Sequence, residues 1–475
     1  MIPRYLPHLL ACIFSLLIPT TSSLATDDPP ALLAGAATAD ITPRTWPLRI
    51  YSQIAEKARD PLHARALVLS DGQITLAMVT VDALSVGPET CDKIRSRVTE
   101  QCDIKAENIM ISATHSHTTP FNGVKKGSPA QLDYVEVFLK GVSEAIVKAH
   151  ANLKPASIGW ASSPVPSEVR NRRWFLKAGK MPPNPWGEMD QVKMNPGYSA
   201  DTLDRPAGPT DPDVTILSVM DARGRKSRAL YANYSLHYVG GLPKKQVSAD
   251  YYGEFARLMP SRLRSEEDFV AIMSNGASGD INNLPFLINR PPREKGEQIR
   301  IVASKTADAA WRAWKKIDSW QKNPRLCMVQ RNITLQLREP RAEQIERAKA
   351  ILAISDKKEQ GKLPVGAINY ARNTMAMLEG GEIILPLQAI RIGDFSAVVI
   401  PFETLVEIGL ELKKRSPFGT TMVIGLGNGR YGYLPTPKQH QLGGYETWLG
   451  TCKVRENSSE LIVKELLEML AELKK

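Results

Sequence analysis

Short apolar runs alternate along this chain with segments of helical periodicity. The runs are bounded by turn-forming residues and are typical of buried strands. They lie at residues 66–69, 74–81, 109–111, 214–219, 269–273, 397–400 and 421–424. Apolar positions with helical spacing predict helices over residues 89–101, 131–151, 250–264, 296–317 and 458–474. The alternation predicts an α/β fold, in which a single large domain holds a mixed β-sheet flanked by helices.

Two segments depart from this alternation. Residues 171–212 are rich in Trp, Pro and Asn and predict a long loop. A loop of that length inside a compact domain is more often functional than idle. Residues 341–378 are charged and helical in pattern and lie between two predicted strands, so we expect a helical insertion there.

The first 25 residues have the pattern of a signal peptide. Arg4 and His8 precede an apolar run at 9–18 that is too short to span a bilayer, and Ser23-Leu24-Ala25 follows as a small-x-small cleavage pattern. Leu9 to Cys12 loosely resembles a lipoprotein box, but the apolar run continues past Cys12, which argues against lipidation. No later segment predicts a membrane span. We therefore expect an exported, periplasmic or extracellular protein whose domain covers residues 30–475.

The formal charge of +11 reflects 61 Lys and Arg against 50 Asp and Glu. The basic residues are scattered and no nucleic-acid motif is present, so solubility is the simpler explanation, while peripheral contact with anionic surfaces stays open. Cys91, Cys102, Cys327 and Cys452 follow the signal segment. Export permits disulfides, and the sequence leaves their pairing open.

The strongest chemical signal is Thr114-His115-Ser116-His117, directly after a buried run. Side chains two apart on a strand point the same way, and paired imidazoles are a common start of a zinc site. Further ligand types also follow predicted strands. His237 precedes a Gly-Gly turn, and Glu403 opens a predicted helix, where a first-turn acid is also ordinary.

Several ordered motifs resemble the neutral, non-lysosomal ceramidases and their bacterial relatives. They are residues 35–43 (GAATADITP), 62–68 (LHARALV), 114–117 (THSH), 171–172 (NR), 275–283 (NGASGDINN), 401–404 (PFET) and 425–433 (GLGNGRYGY). The resemblance implies a catalytic zinc held by His115, His237, Glu403 and Tyr433. It also implies that His117, Arg172 and Tyr445 lie at the substrate carbonyl. From the residues alone, Tyr445 could equally be a loop aromatic packed for shape.

Two features depart from the ceramidases. Asn282 stands where they carry the serine proposed as nucleophile, and an amide cannot take that role. The chain also ends one helix after Tyr433, so we expect no C-terminal immunoglobulin-like domain. These departures place ceramide itself in question as the substrate.

The sequence therefore predicts an exported zinc-dependent hydrolase of an acyl amide, either an N-acyl lipid or an N-acyl amino sugar, that uses metal-activated water. In this hypothesis His117 and Tyr445 stabilise the oxyanion or protonate the leaving group, and Arg172 and Asn282 bind the substrate. Hydrolysis of an ester or another carbohydrate-linked bond, and a non-catalytic binding protein, are the alternatives. The metallo-β-lactamase pattern fits poorly, because Thr118-Thr119-Pro120 follows the histidine pair.

Overall fold

The computed structural model describes residues 1, 3, 31–51, 53–265 and 267–475. The predicted signal peptide falls almost wholly outside the described residues and stays a prediction. The strands are β1 Leu33–Asp40, β2 Leu48–Arg49, β3 Ile54–Ala55, β4 Lys57–Ala58, β5 His63–Ser70, β6 Thr75–Val81, β7 Ile109–Ala113, β8 Lys154–Pro164, β9 Arg170–Asn171, β10 Arg173–Leu176, β11 Val192–Met194, β12 Leu203–Pro206, β13 Asp213–Asp221, β14 Ser227–Tyr234, β15 Gln246–Val247, β16 Val270–Asn275, β17 Ile281–Asn282, β18 Leu326–Gln336, β19 Glu382–Ile392, β20 Phe395–Ile400, β21 Glu403–Thr404, β22 Thr420–Gly425 and β23 Tyr433–Leu434. The α-helices are α1 Pro88–Thr99, α2 Pro129–Ala151, α3 Asp250–Leu263, α4 Glu297–Trp314, α5 Ala342–Ala353, α6 Lys357–Gly361, α7 Ala367–Met375, α8 Val406–Arg415, α9 Pro437–Leu442 and α10 Ser458–Lys474.

Two mixed sheets form the centre of the molecule. The larger has eight strands in the order β16-β14-β13-β8-β1-β5-β6-β7, and the smaller has four in the order β18-β19-β20-β22. Three neighbouring pairs are parallel, namely β6 with β7, β14 with β16, and β20 with β22. The remaining pairs within these two sheets are antiparallel. The predicted α/β class with a mixed sheet is confirmed, and the structure adds the second sheet.

Alternating side chains explain how the sheets stack. On β5, Leu67 and Leu69 join the apolar core between the two sheets, whereas Ala66 and Val68 face a separate core beneath α1 and α2. Strand β20 divides its side chains in the same way, with Val399 on the inner core and others beneath α8 and α10. Because both faces of these strands are buried, their sequences are continuous apolar runs rather than alternating ones. The result is a layered order of helix, sheet, sheet and helix.

The predicted elements agree closely with the structure at the strands and long helices, and they differ in two places. The sequence predicts a loop over 171–212, but this segment contains β10, β11 and β12, which form a small three-stranded sheet. The sequence also predicts that Glu403 opens a helix, but Glu403 lies in the short strand β21, and α8 begins at Val406. The helical insertion within 341–378 is confirmed as α5, α6 and α7 between β18 and β19.

Within the described part of the chain, no helix is long and apolar enough to cross a membrane. The four described cysteines are all free thiols, so no disulfide joins any two of them. Burial raises the pKa of Cys91 to about 12 and that of Cys452 to about 11. Both buried thiols are therefore neutral at physiological pH and pack as small apolar side chains.

Helix α2 packs so tightly on β1 that only glycine fits at position 35. A Cβ atom on Gly35 would lie 2.1 Å from the carbonyl oxygen of Ala149. We expect Gly35→Ala to lower the free energy of unfolding by about 1–3 kcal/mol, because the helix must shift outward. Gly87→Ala is the matched control, since a Cβ atom on Gly87 would have no neighbour within 4 Å. Chemical denaturation of both variants tests this, and equal stability would contradict the packing argument.

Candidate active site

His115 follows β7 in a left-handed backbone conformation, with φ of 68°. Its amide donates to the carbonyl of Ala83 at 2.9 Å, and the Thr114 amide donates to Val81 at 3.0 Å. The sequence predicts that strand alternation aligns the histidine pair. The strand ends at Ala113, however, so this turn, rather than the pleat, brings His115 and His117 together. A left-handed non-glycine residue costs roughly 1–2 kcal/mol, and such strain is characteristic of functional sites.

Three histidine nitrogens and one carboxylate oxygen converge in the buried space beyond β7, β14 and β20. The Nε2 atom of His115 lies 3.1 Å from Nε2 of His237 and 3.2 Å from Nε2 of His117. The Oε2 atom of Glu403 lies 3.2 Å from Nε2 of His115 and 3.9 Å from Nε2 of His237. Among the described residues, the three histidines form a group whose ligand atoms all lie within 4.8 Å of one another.

The outer nitrogens of two of these rings fix their tautomers. Nδ1 of His115 lies 2.8 Å from the carbonyl of Leu84, and Nδ1 of His237 lies 3.1 Å from the carbonyl of Ser278. A carbonyl only accepts, so each neutral ring donates from Nδ1 and presents a bare lone pair at Nε2. When both rings are neutral, their Nε2 atoms cannot hydrogen bond to each other. Oε2 of Glu403 is buried and also lacks a hydrogen-bond partner.

This donor set fits a zinc ion. Burial lowers the pKa of His117 to about 2 and lowers that of His237 well below its ordinary value, so both rings are neutral. Burial alone would raise the pKa of Glu403, but its neighbours His115, Tyr433 and Arg172 together outweigh burial and lower the pKa. Nitrogen ligands ~2.0–2.1 Å from a tetrahedral zinc lie about 3.3 Å apart, close to the observed separations. Metal-binding histidines usually donate their outer N–H to a carbonyl or a carboxylate, as the Nδ1 atoms of His115 and His237 do here.

Tyr433 lies beside Glu403 because β21 and β23 pair in parallel with these two residues in register. Its hydroxyl accepts a hydrogen bond from Nη2 of Arg172 at 3.1 Å. Burial and the negative charge of Glu403 raise the pKa of Tyr433 well above its ordinary value. The structure therefore brings four predicted residues, His115, His237, Glu403 and Tyr433, to one centre.

Arg172 is held by a buried carboxylate that the sequence pattern did not single out. Glu446 is fully buried, and it accepts from Nε of Arg172 at 2.9 Å and from Nη1 of Arg173 at 3.0 Å. Burial alone would lower the pKa of Arg172, but Tyr433 and Glu446 together raise it. Arg172 is therefore a permanent cation beside the histidine group. In the sequence, the only sign that Glu446 is important is its position directly after Tyr445.

Hydrogen bonds from the segment 171–212 hold the loop that carries Tyr445 in place. The ring of Tyr445 lies 5.6 Å from that of Tyr433. Asp190 accepts from Nε1 of Trp448 at 2.7 Å and also binds the amide of Gly444, so it holds the loop on both sides of Tyr445. The expectation that the 171–212 segment is functional gains a physical basis here, although it acts through strands rather than as an open loop.

An aromatic stack links the same loop to the helical insertion. Tyr370 of α7 contacts Trp448, with ring centroids 5.3 Å apart, and Trp448 contacts Tyr445 at 5.8 Å. On the opposite side of the site, Tyr238 stacks on His117 with centroids 3.8 Å apart and planes at 13°. No sequence pattern marked Tyr238 or Tyr370, because their role depends on contacts between distant segments.

Asn282 lies in β17, next to β9, and its side chain hydrogen bonds to residues of neighbouring loops. Its Nδ2 donates to Asn195, and its Oδ1 accepts from the amide of Leu284 at 3.0 Å. The neighbouring Asp280 carbonyl accepts from the Arg172 amide at 2.8 Å, so this loop supports the arginine. A direct contact between Asn282 and substrate stays a prediction.

The chain matches a known family of hydrolases. The family described as "Neutral/alkaline non-lysosomal ceramidase, N-terminal" matches residues 32–287, and the chain belongs to this family. The resemblance noted from the sequence is thereby confirmed.

Solved structures provide further comparisons for the fold. Neutral ceramidase from Pseudomonas aeruginosa is similar with a TM-score of 0.69 and 16% identity, over 94% of this chain and 75% of that one. A structure described as a ceramidase complexed with C2 gives the same values. No curated protein matches the chain. At this identity the likeness establishes a shared fold.

Glu446 offers a test of the buried charge network. Glu446→Gln leaves two buried arginines with one neutral partner, so we expect a loss of about 3–5 kcal/mol in unfolding free energy. The control is Glu136→Gln, because Glu136 also receives two bonds from one arginine, Arg97, but is 61% exposed in its side chain. Its removal should cost no more than ~1 kcal/mol. Denaturant unfolding measures both, and similar losses would refute the network's importance.

Proposed function

We propose that this protein is an exported zinc-dependent hydrolase that cleaves an acyl amide of the N-acyl lipid or N-acyl amino sugar class. One observation carries the proposal, namely that bare Nε2 lone pairs and the unpaired Oε2 of Glu403 meet at 3.1–3.2 Å in a buried space. A cation held among these electron pairs would stabilise the arrangement. Membership of the ceramidase family supports the amide bond as the target.

Zinc is the expected ion, with His115, His237, Glu403 and Tyr433 as its ligands. A zinc ion in this set supplies Lewis acidity, which polarises a carbonyl and lowers the pKa of water. The donor types support this choice, because neutral imidazole with a carboxylate suits zinc better than calcium or magnesium. We place His117 beside the ion rather than among its ligands. Its Nε2 lies 3.2 Å from Nε2 of His115, and Nε2 of His237 lies 3.1 Å from the same atom.

The surrounding residues bind and orient the acyl group. Burial raises the pKa of Tyr445, so its hydroxyl remains protonated and can donate to the developing oxyanion. Arg172, with its charge maintained by Glu446 and Tyr433, binds a polar or anionic part of the substrate. His117 is neutral and can accept or relay a proton. Asn282 replaces the serine of the ceramidases and positions the substrate without becoming acylated.

Export is proposed from the sequence of residues 1–25. The four described cysteines are free thiols, and this is compatible with export. An exported protein of this size does not need disulfides for its core. Amino-terminal sequencing of the secreted or periplasmic protein tests the cleavage, which we expect after Ala25.

Zinc content is the direct test of the ligand assignment. We expect about one zinc per chain in the wild type, and loss of zinc in His115→Ala and His237→Ala. His117→Ala should keep its zinc and lose activity by ~10²-fold or more. His150→Ala is the control, because His150 lies on helix α2 away from the site. Elemental analysis of the purified variants decides the matter. Near-full zinc in both ligand variants would refute the site, and metal loss in His117→Ala would make His117 a ligand.

The role of Asn282 is tested by comparison with its partner Asn195. If Asn282 also contacts substrate, Asn282→Ala should lower kcat/KM by roughly 10- to 150-fold, the value of one hydrogen bond to a polarised group. Asn195→Ala breaks their mutual bond but keeps the Asn282 amide, and it should have a smaller effect. Mass spectrometry during turnover should detect no acyl adduct, and Asn282→Ser should not create ceramide hydrolysis. An adduct on the wild type, or equal losses in the two alanine variants, would count against this role.

A further inference from the structure

An exposed apolar ridge lies close to the site and plays no part in the proposed chemistry. It consists of residues 284–288 together with Tyr198. Leu284, Leu287 and Ile288 are 44%, 54% and 63% exposed, and Tyr198 is 52% exposed. Single exposed apolar residues are ordinary, but four large ones in one patch are characteristic of an interaction surface.

The ridge is anchored rather than loose. Phe286, at its centre, is buried against Trp174 and Leu203, and the rings of Phe286 and Trp174 are 5.6 Å apart. Cavities of about 300 and 440 Å³ lie on its two sides, and both are lined by Pro285, Phe286 and Ile288. The apolar side chains are thus held outward on a rigid support instead of folding back onto the protein.

Arginines line the cavities beside this ridge, and the acidic side chains that act on Arg290, Glu168 and Glu297, lie outside both linings. Arg290 and Arg293 line one cavity and Arg170 lines the other, and no acidic residue of the described chain lines either. Arg290 donates to the neutral amide of Gln298 at 3.0 Å, and Arg170 donates to a backbone carbonyl. Arg293 has an acidic neighbour, Glu297, at 3.8 Å. Arg290 and Arg170 form no ion pair within the described part of the chain, so both can bind an external anion.

We propose that the ridge docks this protein on a membrane surface that contains anionic phospholipids. Apolar side chains that project among arginines enter the boundary between headgroups and acyl chains, while the arginines bind lipid phosphates. The ridge follows β17 directly, and β17 pairs with β9, whose next residue is Arg172. Docking at this position brings lipid close to the residues that receive the substrate. The proposal concerns binding alone and stands independently of zinc and hydrolysis.

Vesicle sedimentation tests the proposal with the full mature protein. The probes are vesicles of phosphatidylcholine alone and vesicles with about one third phosphatidylglycerol. We expect binding to the anionic vesicles, reduced by high salt. Leu287→Ser with Ile288→Ser should weaken it by at least about 10-fold, and Arg290→Gln and Arg293→Gln by about 5-fold each. His115→Ala should bind like the wild type, which separates docking from the proposed chemistry.

Leu352→Ser with Val365→Ser is the matched control, because these residues are 41% and 97% exposed on the distant helical insertion. This variant should bind vesicles like the wild type. Equal binding by the ridge variant and the control would overturn the proposal. So would equal binding to neutral and anionic vesicles, or no binding at all. Sedimentation velocity adds a further outcome, because a stable dimer disrupted by Leu287→Ser with Ile288→Ser would overturn membrane docking and assign the ridge to self-association instead.

Discussion

Mutual repulsion among electron pairs at the buried histidine group is the constraint on which the rest of the site depends. Two imidazoles donate outward to the carbonyls of Leu84 and Ser278, and this turns their inner nitrogens toward one another. Hydrogen bonds from the two Nδ1 atoms to backbone carbonyls hold both rings in this orientation. A protein without need of a cation would lose nothing by turning one of these rings away, so the geometry itself argues for metal binding.

The sheet topology explains how such a group is assembled from distant positions. His115, His237 and Glu403 follow β7, β14 and β20, and each of these strands has a parallel neighbour. Loops that leave the carboxyl ends of parallel strands converge at one edge of a sheet, which is the usual place for a site in such folds. The larger sheet contributes two histidines and the smaller sheet contributes the glutamate. The site is therefore also a link between the two sheets.

Much of this could be predicted from the sequence, and the limits have physical reasons. The buried strands and long helices are predictable because continuous apolar runs and helical periodicity are local signals. His115, His237 and Glu403 stand out because each follows such a run, whereas Tyr433 was indicated only by the resemblance of its motif to the ceramidases. Glu446, Asp190 and Tyr238 could not, since their importance arises from partners far away in the chain. The strands within 171–212 also escape prediction, because each is only three or four residues long.

The aromatic stack from Tyr370 through Trp448 to Tyr445 changes how the helical insertion should be regarded. The insertion emerges from the end of the β18–β19 pair, where added length leaves the sheet register untouched. Its position alone suggests that the insertion could change in length or sequence without affecting the sheet. Because α7 packs on the loop that carries Tyr445 and Glu446, however, any exchange of the insertion also alters the support of the site. A change in the insertion can thus alter the position of Tyr445 without any substitution in the loop that carries it.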